Sequence, residues 1–74
     1  MENQHRKITG YRELSQQEID LMNMVKAAGV ELGNTVAQLR ANPEIDQRWV
    51  SIGATHLQEG LMALTRAVAK PEFF

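Results

Sequence analysis

Residues 41-ANPEIDQRW-49 decide how this chain folds, because they separate two long runs of helical periodicity. Pro43 lacks an amide hydrogen and clashes with the preceding turn, so no helix passes through it, and it biases Asn42 away from α backbone. Proline is nonetheless favoured in a first helical turn. The stretch therefore closes one helix near Ala41 and opens another at about residue 43, with Asn42 or Asp46 as its cap. Upstream, Ser15 followed by Glu18 makes a capping box that starts the first helix at Gln16. From there Ile19, Met22, Val25, Leu32, Val36 and Leu39 recur at helical spacing. The resulting rod is roughly 40 Å long. Downstream, Val50, Leu57, Leu61, Leu64 and Val68 form an apolar stripe that ends near Lys70, where Pro71 stops the helix. A short connection returns the second helix antiparallel to the first. The predicted fold is all-α, one helical-hairpin domain over 1–74: an arm at 1–14, helix one at about 16–41 and helix two at about 43–70.

A single domain of 74 residues, 43% of them hydrophobic, buries too little surface to be comfortable alone. Disulfides cannot compensate, since there is no cysteine, and no Cys/His set has metal-site spacing, so no metal or other cofactor is expected. Association into a homo-oligomer is the remaining route. The absence of cysteine fits a reducing cytosol, and "MENQHRKITG" lacks the apolar core of a signal peptide. No window is apolar for the length a membrane span requires. A net charge of −1 argues against coating duplex nucleic acid, which needs a clear cationic excess.

Gly29 and Gly33 in the first helix, and Gly53 and Gly60 in the second, each cost about 1 kcal/mol relative to alanine in a helix interior. Close helix approach, within the hairpin or between subunits, would offset that, as would clearance for a ligand. Trp49, Gly53, His56, Gly60, Ala63 and Ala67 make a second, flatter face beside the apolar stripe of helix two. One hairpin cannot cover both faces. The ending "KPEFF" carries two phenylalanines suited to a neighbour's groove.

Catalytic constellations are weak. His56 and Glu59 lie three apart on one helical face, but two ligands are not a metal site, and the other histidine, His5, is in the arm. Thr55 beside His56 fails as a nucleophile and base, because adjacent helical residues diverge. Glu13 and Glu18 read as a capping and solvated pair, and Gly10 alone is too little for a phosphate loop. An enzyme is not expected, which leaves a ligand-binding protein or a structural hairpin for oligomerisation or host-protein interaction.

The remaining feature is cationic. His5, Arg6, Lys7, Tyr11 and Arg12 precede the amino end of helix one, whose dipole attracts phosphate, and Lys26 adds a cation on the same helix. An ordinary solvated arm has the same composition. Tyr11 and Lys26 of one chain meet only if the arm folds back, whereas two chains packed about a twofold axis join them more easily.

The stretches "HRKITGYRELSQQEIDLMNMVKAAGVELG" and "DQRWVSIGATHLQEGLMALTRAVAKPEFF" resemble the phage anti-CBASS cyclic-oligonucleotide sponge family over nearly the whole chain. The most specific parts are "GYRELS", "LMN" followed by Lys26, "DQRW", "THLQ" and "LTRAVAKP". The resemblance implies a small all-helical homohexamer in the cytoplasm of an infected bacterium. It would sequester cyclic dinucleotides and cyclic trinucleotides without degrading them, starving a CBASS effector of its signal. By position, Tyr11 resembles the family's base-stacking aromatic and Lys26 its phosphate-binding lysine, in a dinucleotide site between subunits. Arg12 is included for its place beside Tyr11. Arg66 resembles the arginine of a separate trinucleotide site, though a helix-end cation complementing the dipole reads the same way. Stacking of a base on an aromatic face is worth about 1 to 3 kcal/mol, and lysine or arginine pairs with phosphate.

Overall fold

A computed structural model describes residues 13–72, which form two α-helices and no strand: α1 over Gln16–Arg40 and α2 over Gln47–Ala69. The arm and the Phe73–Phe74 segment lie outside the described residues.

The start of α1 follows from two side chains. Ser15 Oγ accepts the Glu18 amide at 3.2 Å, and Glu18 Oε1 accepts the Ser15 amide at 2.9 Å, so the capping box read from the sequence is formed. The helix ends at Arg40, with Ala41 as its cap.

Helix two begins later than the expected residue 43. Asn42 Oδ1 accepts the Glu44 amide at 3.0 Å and its carbonyl accepts the Ile45 amide at 3.1 Å. Pro43 therefore sits in a turn, where its fixed φ suits the second position, and not in a helical turn. Asp46 is the cap, its backbone extended and its Oδ1 accepting the Arg48 and Trp49 amides at 3.1 and 3.3 Å. Gln47 Nε2 then donates to the carbonyls of Leu39, Asn42 and Ile45 at 3.0 to 3.3 Å. One side chain thus adds a second hydrogen bond to the Leu39 and Asn42 carbonyls, which already accept the Asn42 and Ile45 amides, and ties the end of α1 to the turn. At the other end, Lys70 takes a left-handed conformation (φ 44°, ψ 61°) and donates its amide to the Arg66 carbonyl, closing α2 before Pro71.

The helices pack along one seam. Met22, Val25, Gly29, Leu32 and Val36 of α1 are half-buried against Val50, Ala54, Leu61 and Val68 of α2. Gly29 faces Leu61, and a Cβ there would lie 3.4 Å from Leu61 Cδ1, in ordinary contact. Among the described residues only Val50 is buried. Ile19, Leu39, Leu57 and Leu64, members of the stripes read from the sequence, stay exposed to between 38% and 55%. One hairpin therefore leaves much of its own apolar stripe in water.

Candidate functional site

Lys26 lies on α1 and Arg66 in the last turn of α2, and both are exposed. They are forty positions apart in sequence, yet the hairpin returns them to neighbouring levels along its axis. The register is set by Glu18 against Lys70, with Oε2 and Nζ 3.6 Å apart, and by Gly29 against Leu61. Interpolating between these pairs puts Arg66 within about 3 to 6 Å of Lys26 along the axis.

They do not converge sideways. Lys26 follows the seam residue Val25 and stands one turn after Met22, so it flanks the groove between the helices. Arg66 is two positions from Leu64 and two from Val68, about 200° round the helix from each, on the side of α2 turned away from α1. One hairpin thus offers two separate cationic surfaces at one level.

Tyr11 and Arg12, with His5, Arg6 and Lys7, lie outside the described residues. The helix end that they precede is not an open anion site. Ser15 takes the Glu18 amide, Glu18 is in the first turn, Glu13 and Asp20 stand nearby, and Gln16 Nε2 donates to Asp20 Oδ1 at 3.0 Å. The partial charge at the start of α1 is thus already answered by protein carboxylates. A phosphate held there needs the arm's cations, since Lys26 stands ten residues, about 15 Å, further along α1.

His56 Nδ1 and Glu59 Oε1 are 3.4 Å apart, both well exposed, as an ordinary pair one turn apart on the helix. No group of three or more metal-ligating side chains is gathered among the described residues. No helix of the described residues is long and apolar enough to cross a membrane.

Gly33, Gly53 and Gly60 have nothing within 4 Å of where a Cβ would stand, unlike Gly29. Among the glycines of the two helices, Gly29 alone therefore faces the other helix. At the tip, Val36, Leu39, Ile45, Trp49, Gly53 and Leu57 line a shallow groove of about 320 Å³. Trp49 is 61% exposed in it, and the Arg48 guanidinium lies over its ring, 5.4 Å from the centroid. Periodicity alone marked Trp49 as part of a flat face; the groove depends on how the turn seats Ile45 beside both helices.

Comparison with known proteins places the chain. Residues 3–69 match the family model described as the Acb2/Tad1 hairpin domain. The chain is also similar to Anti-CBASS protein 2 of Pseudomonas phage JBD67, with 39% identity over 97% of this chain and 98% of that protein.

Proposed function

This chain belongs to the Acb2/Tad1 hairpin family, and from that premise we propose that it is a phage anti-defence protein acting in the cytoplasm of the infected bacterium. It binds and sequesters cyclic dinucleotide and cyclic trinucleotide messengers, blocking activation of CBASS effectors, and does not degrade them. The observation that carries this reading is the near full-length similarity to Anti-CBASS protein 2.

Tyr11 stacks a base, Lys26 pairs with phosphate and Arg12 assists beside Tyr11, in a site shared between subunits. Arg66 serves a separate site for trinucleotides. The divergent faces of Lys26 and Arg66 support two sites over one. A twofold-symmetric cyclic dinucleotide suits an isologous interface, and a cyclic trinucleotide suits a threefold axis that presents three copies of Arg66, as a homohexamer allows.

Calorimetric titration with a panel of cyclic nucleotides tests the proposal, followed by release and chromatography of whatever was bound. Intact ligand recovered from a saturable complex is expected. Altered ligand would mean catalysis, and no binding by correctly assembled protein would leave a structural hairpin module.

A further inference from the structure

The tip groove is a concavity that neither helix of its own chain fills. Its walls are Val36 and Leu39 of α1 and Trp49, Gly53 and Leu57 of α2, with Ile45 at the end. We propose that it receives the Phe73–Phe74 segment of a second copy of this chain, lying antiparallel to the first.

Chemistry supports a ring as occupant. Apart from Thr35 and Asp46 the lining is apolar, and the Asp46 carboxylate already accepts two backbone amides. Gly53 leaves open space above its backbone, where a flat group can lie against the helix. Phe73 and Phe74 are the chain's two phenylalanines.

Reach excludes the chain's own segment. Gly53 and Glu72 are separated by most of α2, about 25 Å along the axis. Two extended residues span at most about 7 Å. An antiparallel second hairpin brings its 70–72 end to the tip of the first. A twofold axis makes the exchange reciprocal, so one operation fills both grooves.

Charge agrees with the direction of entry. The segment reads Pro71, Glu72, Phe73, Phe74, a carboxylate just ahead of the rings. Arg48 stands over Trp49 in the first turn of α2, next to the Asp46 carboxylate that caps the helix. Glu72 of the incoming chain meets that cation as the phenyl rings meet Trp49. With aromatic side chains burying roughly 150 to 250 Å² each, four phenylalanines and two tryptophans bring the exchange to on the order of 1,000 Å², the size at which a specific interface is stable.

The test uses no nucleotide, so its outcome is separate from that of the ligand reading. The chain has no native cysteine. Chains carrying Gly53→Cys are mixed with chains carrying Phe74→Cys, oxidised and run without reductant, with assembly followed by light scattering. Mixed pairs as the main cross-linked product are expected. Self-linked pairs of either variant in excess, or no linkage within an assembled oligomer, would overturn the exchange. Trp49, the sole tryptophan, gives a second readout. Its emission should shift to the blue as the wild-type chain associates. Phe73→Ala with Phe74→Ala should remove the shift and weaken association at least tenfold at unchanged helical circular dichroism, with leucine at both positions restoring part of it. Loss of the shift on deleting residues 1–12, with the double alanine variant unaffected, would assign the groove to the arm and overturn the proposal.

Discussion

Glu18 and Lys70 meet across the open end of the hairpin, Oε2 to Nζ at 3.6 Å, and each also ends a helix. Glu18 completes the capping box of α1, and Lys70 is the left-handed cap of α2. This ion pair therefore ties the first turn of α1 to the C-terminal cap of α2. It does so a few residues from where the arm bearing Tyr11 and Arg12 joins the hairpin.

Lys70 holds a positive φ that a side chain disfavours by roughly 1 to 2 kcal/mol, whereas its ion pair, exposed at Lys70 and mostly covered at Glu18, is worth about 1 kcal/mol or less. Lys70→Gly is therefore expected to raise the unfolding free energy by about 0.5 to 1 kcal/mol. Glu18→Gln, which keeps a capping acceptor and removes the charge, should lower it by less than about 1 kcal/mol. Urea denaturation at fixed protein concentration measures both, and a destabilised Lys70→Gly would show that the ion pair outweighs the backbone strain.

Gln47 answers three carbonyls at the tip. Gln47→Ala should cost about 1 kcal/mol, since water can reach those acceptors once the side chain is gone. Amide hydrogen exchange should speed up around 42–48 while the middle of α1 is unchanged.

Gly60 separates the isolated hairpin from the assembled protein. A Cβ there meets nothing within 4 Å, so Gly60→Leu should stabilise a lone hairpin by close to 1 kcal/mol through helix propensity. If that face is packed between subunits, the same substitution overpacks it and costs the assembly about 1 to 3 kcal/mol. Light scattering should show a smaller particle that is no less helical by circular dichroism.

Arg66→Ala should abolish cyclic trinucleotide binding and spare cyclic dinucleotides, because Arg66 and Lys26 face different sides of the hairpin. Equal weakening of both ligands in an intact oligomer would contradict two sites. Titration calorimetry on the two ligand classes decides between the outcomes.

A twofold site contains each contributing residue twice, so Tyr11→Ala should weaken dinucleotide binding by about 2 to 6 kcal/mol. Lys26→Glu should be worse, replacing attraction by repulsion at both phosphates. Mixing the two variants should restore a fraction of sites if each site is built from different chains, and none if it lies within one.

The helices themselves were legible in the order of residues, because the signals that make them are local. Ser15 and Glu18 reach each other across one turn whatever the rest of the chain does, and Pro43 forbids a continuous helix by its own covalent structure. The resemblance carried by "GYRELS" and "LTRAVAKP" likewise needed no coordinates, and the family match over residues 3–69 bears it out. The choice between Asn42 and Asp46 as cap was not legible, since both are good caps and only the turn geometry, with Gln47 folded over it, delays α2 to Gln47. The closeness of Arg66 to Lys26 along the axis, the uncovered state of Leu57 and Leu64, and the open space above Gly53 and Gly60 also came only from the tertiary structure. Each depends on the register in which two distant segments pack, which is set by the sum of contacts along the whole seam and not by any neighbour in sequence.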